Sequence, residues 1–106
     1  MQNILSLNSF KKQLEEHERV AILLFDPENE TSRSAFRSIT EATYLSKQPP
    51  VFVADIREVG DIQSYFQVTA IPSLLFFMKG NIIEIVHGSG ESDLVKALIN
   101  HELATE

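Results

Sequence analysis

Six consecutive apolar residues, Val20-Ala-Ile-Leu-Leu-Phe25, limit what this chain can fold into more than any other feature. A strand points its side chains alternately to two faces, so a strand-length run with no polar residue must be covered on both. Val51-Phe-Val-Ala-Asp-Ile56 repeats the pattern, with one acid near its end. Two such runs read as the middle of an α/β sheet with helices packed on each face. With 106 residues the chain is long enough for one core without disulfide or metal support, and too short for two. A single domain over 1-106 is expected.

The remaining segments supply the covering elements. Ile4 to Leu7 reads as an extended lead-in, and Asn8 or Ser9 as the cap of a helix carrying Phe10 and Leu14 on one side. Asp26-Pro-Glu-Asn-Glu30 interrupts the first buried strand. Thr31 to about Ser46 then has helical spacing, with Ala35, Phe36, Ile39 and Ala42 forming a face, until Gln48-Pro49-Pro50 stops it. A short helix follows from Val59 to Phe66. Ser73 to Met78 and Ile82 to Val86 are two strands joined by Lys79-Gly80-Asn81, a three-residue connection that signals a hairpin. Phe76 and Phe77 are adjacent in the first of these strands and must face opposite sides of the sheet. After Gly88-Ser89-Gly90, Glu91 to Leu103 forms a closing helix with Leu94, Ala97, Leu98 and Ile99 turned inward. The expected fold is α/β, with a mixed central sheet of four to five strands flanked by about four helices on both faces.

Charge and composition remove several functions. Nine Lys plus Arg against fifteen Asp plus Glu give a formal charge of −6. Nucleic-acid binding rests on neutralising phosphates, so it is not expected, and neither is an anionic membrane surface. The chain has no cysteine. Thiol nucleophiles, disulfide exchange, cysteine zinc sites and iron–sulfur clusters are excluded with it. His17, His87 and His101 have no metal-ligand spacing and read as surface residues; no metal and no cofactor are expected. The first residues lack a basic stretch followed by an apolar core, which leaves a soluble, cytoplasmic protein as the expectation.

From about Val20 to Ile99 the chain resembles the thioredoxin family. The buried strand Ala21 to Phe25 leads into a loop and a long helix. Val68-Thr-Ala-Ile-Pro72 is similar to the family segment that ends in a cis-proline. Leu74-Leu-Phe-Phe-Met-Lys-Gly80 is similar to its next strand and turn, and Gly88 falls where the family has a glycine after the last strand. The resemblance implies the thioredoxin fold, and it makes the missing cysteines specific. Counted along the ungapped match, the Cys-Gly-Pro-Cys positions are Asn29, Glu30, Thr31 and Ser32; the preceding Trp position is Glu28, and the buried acid of redox members falls on Leu23. Neither an amide nor a hydroxyl can accept and return two electrons, so no oxidoreductase activity is expected.

What the resemblance leaves is a groove. In the family, the backbone beside the cis-proline pairs with an extended substrate segment, a form of strand addition. Glu28, Asn29, Ala70, Ile71, Pro72 and Gly88, with Ser89 alongside, are the candidate peptide-binding residues. Asn29 is expected to cap the long helix, with Ser32 an ordinary residue of its first turn. Asp26, Glu28 and Glu30 form an acidic cluster that suits a basic or neutral partner. The leading expectation is a redox-inactive protein-binding, chaperone-like or assembly module acting on another protein through this groove. Two alternatives are a thiol-transferase-like enzyme that binds glutathione through a hydroxyl of Thr31 or Ser32, and a structural subunit or homodimer. The hairpin edge from Ile82 to Val86 and the acidic patch are the candidate contacts for the latter.

Overall fold

The computed structural model describes residues 1–45, 49–88 and 91–103. The expectations placed on Ser46, Gln48, Ser89 and Gly90 fall outside the described residues. Along the chain the elements are β1 (Gln2–Asn3), α1 (Leu7–Glu16), β2 (Arg19–Phe25), α2 (Glu30–Leu45), β3 (Val51–Asp55), α3 (Gly60–Tyr65), β4 (Ser73–Met78), β5 (Asn81–His87) and α4 (Glu91–Leu103). The strands form one sheet in the order β1-β3-β2-β4-β5. β3 runs parallel to β1 and β2, whereas β4 runs antiparallel to β2 and β5. The sheet is mixed, as expected, and the four helices cover it on two sides.

Alternation along β2 divides the core. Val20, Ile22 and Leu24 join Phe10, Phe52, Ile62, Leu75 and Phe77 beneath α1 and α3. Ala21 and Leu23 point the other way, into a cluster with Ala35, Ile39, Leu74, Phe76, Leu94 and Leu98 beneath α2 and α4. Phe76 and Phe77 fall into opposite clusters, and the two faces of the first apolar run are both buried. Burying one such side chain contributes about 2 kcal/mol, which is why an unbroken apolar strand is stable only between two layers.

Four local readings change. The cap of α1 is Ser6, not Asn8 or Ser9: its hydroxyl accepts from the Ser9 backbone N–H while the Ser9 side chain reaches back to the Ser6 N–H. That reciprocal box moves the helix start into the expected lead-in. The hairpin connection is two residues, because Asn81 already pairs with Met78, and Lys79 and Gly80 both take positive φ, 51° and 83°. Positive φ at both central positions is the turn whose twist matches its strands. Ile99 is exposed at 45% instead of facing inward. His101, expected at the surface, lies flat against Phe76 with ring centroids 3.7 Å apart, and its Nε2 meets the Glu84 carboxylate.

Candidate functional site

Register brings the predicted site residues to one end of the sheet. Leu24 lies opposite Ser73, so the chain leaving β2 toward Asn29 and the chain entering β4 from Pro72 depart from adjacent positions. β5 ends beside them, where Ser73 lies opposite His87. Antiparallel β4 therefore starts where parallel β2 stops, and loops from both gather at the head of α2.

The head of α2 is capped. The Asn29 side-chain oxygen accepts from the Ser32 backbone N–H at 2.9 Å, and its carbonyl accepts from the Arg33 N–H at 3.0 Å. Such a cap contributes about 1 kcal/mol. Ser32 is not an ordinary first-turn residue: it is fully buried, and its hydroxyl has no hydrogen-bond partner among the described residues. Leu23, where the resemblance implies the acid of redox members, is also fully buried, within the apolar cluster beneath α2 and α4. Leu23 and Ser32 are thus both closed to solvent, one as an alkyl group and the other as a hydroxyl without a partner among the described residues.

Arg57 governs the acidic loop, and sequence reading missed it. Its Nε donates to Asp26 Oδ1 at 2.7 Å and its Nη2 lies 3.0 Å from Glu28 Oε2. The Glu28 N–H donates to the same Asp26 carboxylate at 2.9 Å. The Arg57 hydrogen bond, followed by that from the Glu28 N–H, holds the Asp26 carboxyl below its ordinary value of 3.8. Two of the three acids read as an open cluster are therefore held by one guanidinium, so the surface is less anionic than the sequence implied. Only proximity across 31 positions joins Arg57 to Asp26, and no local signal announces it.

The loop before β4 is tied at two carbonyls. The Ile71–Pro72 peptide bond is cis. The Ser73 hydroxyl donates to the Ala70 carbonyl, and His87 Nδ1 lies 2.7 Å from the same hydroxyl oxygen. Because the hydroxyl proton is directed to Ala70, Nδ1 is assigned as the donor in the second contact. The Pro72 carbonyl accepts from the Gly88 N–H at 2.9 Å. A Cβ built on Gly88 would come within 3.2 Å of Pro72 Cγ and 3.1 Å of Leu94 Cδ1. Between these anchors, the Ile71 N–H and C=O make no hydrogen bond among the described residues. Ser73 and His87, the supports of this loop, were not among the predicted site residues.

Among the described residues no group of three His, Asp or Glu side chains could hold a metal ion, and no helix is long and apolar enough to cross a membrane. No family model and no curated protein sequence matches the chain. Solved structures do match. The thioredoxin of Plasmodium falciparum superposes with a TM-score of 0.88 at 15% identity, over 95% of this chain and 99% of its own. Fasciola hepatica thioredoxin gives 0.86 at 16%, over 95% and 99%. Malassezia sympodialis thioredoxin gives 0.83 at 22%, over 94% and 91%. The fold is the thioredoxin fold, carried here by a thioredoxin-like chain with no cysteine.

Proposed function

We propose that this chain is a redox-inactive binding module that docks an extended segment of another protein against the loop at Ile71, in a chaperone-like or assembly role. One observation carries the reading. The carbonyls on either side, Ala70 and Pro72, are bonded internally, whereas the N–H and C=O of Ile71 are left without a partner among the described residues. A backbone donor and acceptor held in place by flanking bonds are what strand addition requires. Each such bond contributes about 1 kcal/mol net, so affinity must also come from side chains of the docked segment. With Asp26 and Glu28 engaged by Arg57, and Glu30 exposed at the start of α2, a basic or neutral segment suits the rim.

Burial of the Ser32 hydroxyl weighs against the form of the thiol-transferase alternative that uses Ser32, because a group with no solvent contact has no direct route to an external thiol; Thr31 is exposed and keeps the other form open. The absence of cysteine supports a role without electron transfer. The test is a titration of the labelled protein with reduced, carboxyamidomethylated lysozyme, a basic chain that stays unfolded. Amide signals of Ala70, Ile71 and Gly88 are expected to shift together. Unchanged signals there at millimolar probe, or shifts confined to another face, would contradict the reading.

A further inference from the structure

β5 is the free edge of the sheet, and its protection is limited to one bulge and one acid, Glu84. Ile82, Ile83 and Ile85 are exposed at 37%, 47% and 37%, and no Lys or Pro lies between Asn81 and His87. Exposed edges usually carry such residues to discourage pairing with another chain. Ile85 lies opposite Leu75 and Ile82 opposite Phe77, so both belong to the face covered elsewhere by α1 and α3. Ile83 is the extra residue of a bulge, between the Phe76–Glu84 and Phe77–Ile82 pairs.

The direction of the free backbone groups follows from one bond. Opposite residues in an antiparallel ladder alternate between pairs that exchange hydrogen bonds and pairs that exchange none. The Gly88 N–H bonds the Pro72 carbonyl, so Ser73–His87 is an unbonded pair, Leu74–Val86 a bonded one, and Leu75–Ile85 again unbonded. The N–H and C=O of Ile85 and His87 therefore point outward, away from β4.

We infer that this edge pairs antiparallel with β5 of a second copy, with Ile85 on the two-fold axis. Charge selects both the occupant and the register. A chain of net charge −6 repels its copy overall, but from Lys79 to Gly88 the only acid is Glu84, whose carboxylate already meets His101. A two-fold centred on Glu84 would set like charges directly opposite, which is destabilising. Centring on Ile85 sets Ile85 against Ile85, Glu84 against Val86 and Ile83 against His87, and uses the outward groups of Ile85. The interface is isologous, and one strand plus its flanking side chains falls at the small end of stable interfaces, so dissociation in the micromolar range or weaker is expected.

Sedimentation of the full chain from micromolar to millimolar concentration tests this. The native chain is expected to pass from monomer to dimer, with amide exchange at Ile85 and His87 slowing as dimer forms. Ile85→Lys is expected to raise the dissociation constant at least about tenfold, a cost of about 1.4 kcal/mol. Tyr44→Lys, the same charge change at an exposed position on α2, is expected to leave it unchanged. A monomer at millimolar concentration would overturn the proposal, as would a dimer that survives Ile85→Lys or leaves exchange at Ile85 unaltered. Sedimentation, the Ile85→Lys comparison and exchange at Ile85 do not involve the groove at Ile71, so they fail or succeed independently of the proposed function; exchange at His87, which supports that loop, is read only alongside them.

Discussion

The backbone N–H of Gly88 donates to the carbonyl oxygen of Pro72 at 2.9 Å, and the two residues also approach so closely that a Cβ on Gly88 would lie 3.2 Å from Pro72 Cγ. The end of β5 thereby fixes the position of the loop before β4. Gly88→Ala must displace Pro72 or Leu94 by a few tenths of an ångström. It is expected to lower stability by about 1 kcal/mol, read by urea unfolding, and to shift the Ile71 amide signal.

Asn29 and Ser32 stand three residues apart at the head of α2, yet their alanine variants should change stability in opposite directions. Asn29→Ala removes the cap on α2 and is expected to cost about 1 kcal/mol. Ser32→Ala removes a buried hydroxyl that has no partner among the described residues, and is expected to stabilise by about 1 kcal/mol. Paired denaturation curves check both signs.

Leu23→Asp places an acid in the buried cluster beneath α2 and α4. Leu23 is fully buried in an apolar cluster, so the variant is expected to lose about 4 kcal/mol. Burial favours the protonated form and raises the folded-state pKa of the new carboxyl above its unfolded value. The folded state then binds more protons than the unfolded one, so the loss should deepen as pH rises through the range between those two values. Unfolding measured from acid to neutral pH checks the slope.

Arg57→Met frees Asp26. In the native protein the Asp26 carboxyl is held below 3.8, so its contribution is present above the unfolded value and is lost as pH falls through the lower folded one. The variant is expected to return the Asp26 titration toward its ordinary value, as followed by carboxyl NMR. Because both side chains are solvent-accessible, salt should reduce the difference between the two proteins.

The fold was legible because its signals are local. Unbroken apolar runs marked β2 and β3, and Lys79-Gly80 marked a turn. The head of α2 was legible for the same reason, since Asn29 caps a helix that begins at the next residue. What escaped depended on distance in sequence. Arg57 reaches back 31 positions to Asp26, His101 stacks on Phe76 only once α4 has packed against β4, and Ser73 supports Ala70 by a hydroxyl that looks like any strand serine. Ile99 was misplaced because its apolar character says nothing of which side of α4 is left uncovered. The acidic cluster was over-read for a related reason: charges counted along a chain omit the partner supplied from another loop.

Docking at this loop engages the Ile71 backbone first. Its amide exchange rate should be measured in the free protein and in the presence of saturating carboxyamidomethylated lysozyme. If an extended segment adds as a strand at this loop, the Ile71 N–H becomes bonded and its exchange slows at least about tenfold, equivalent to about 1.4 kcal/mol. An exchange rate at Ile71 that stays the same while the probe is bound would contradict the account.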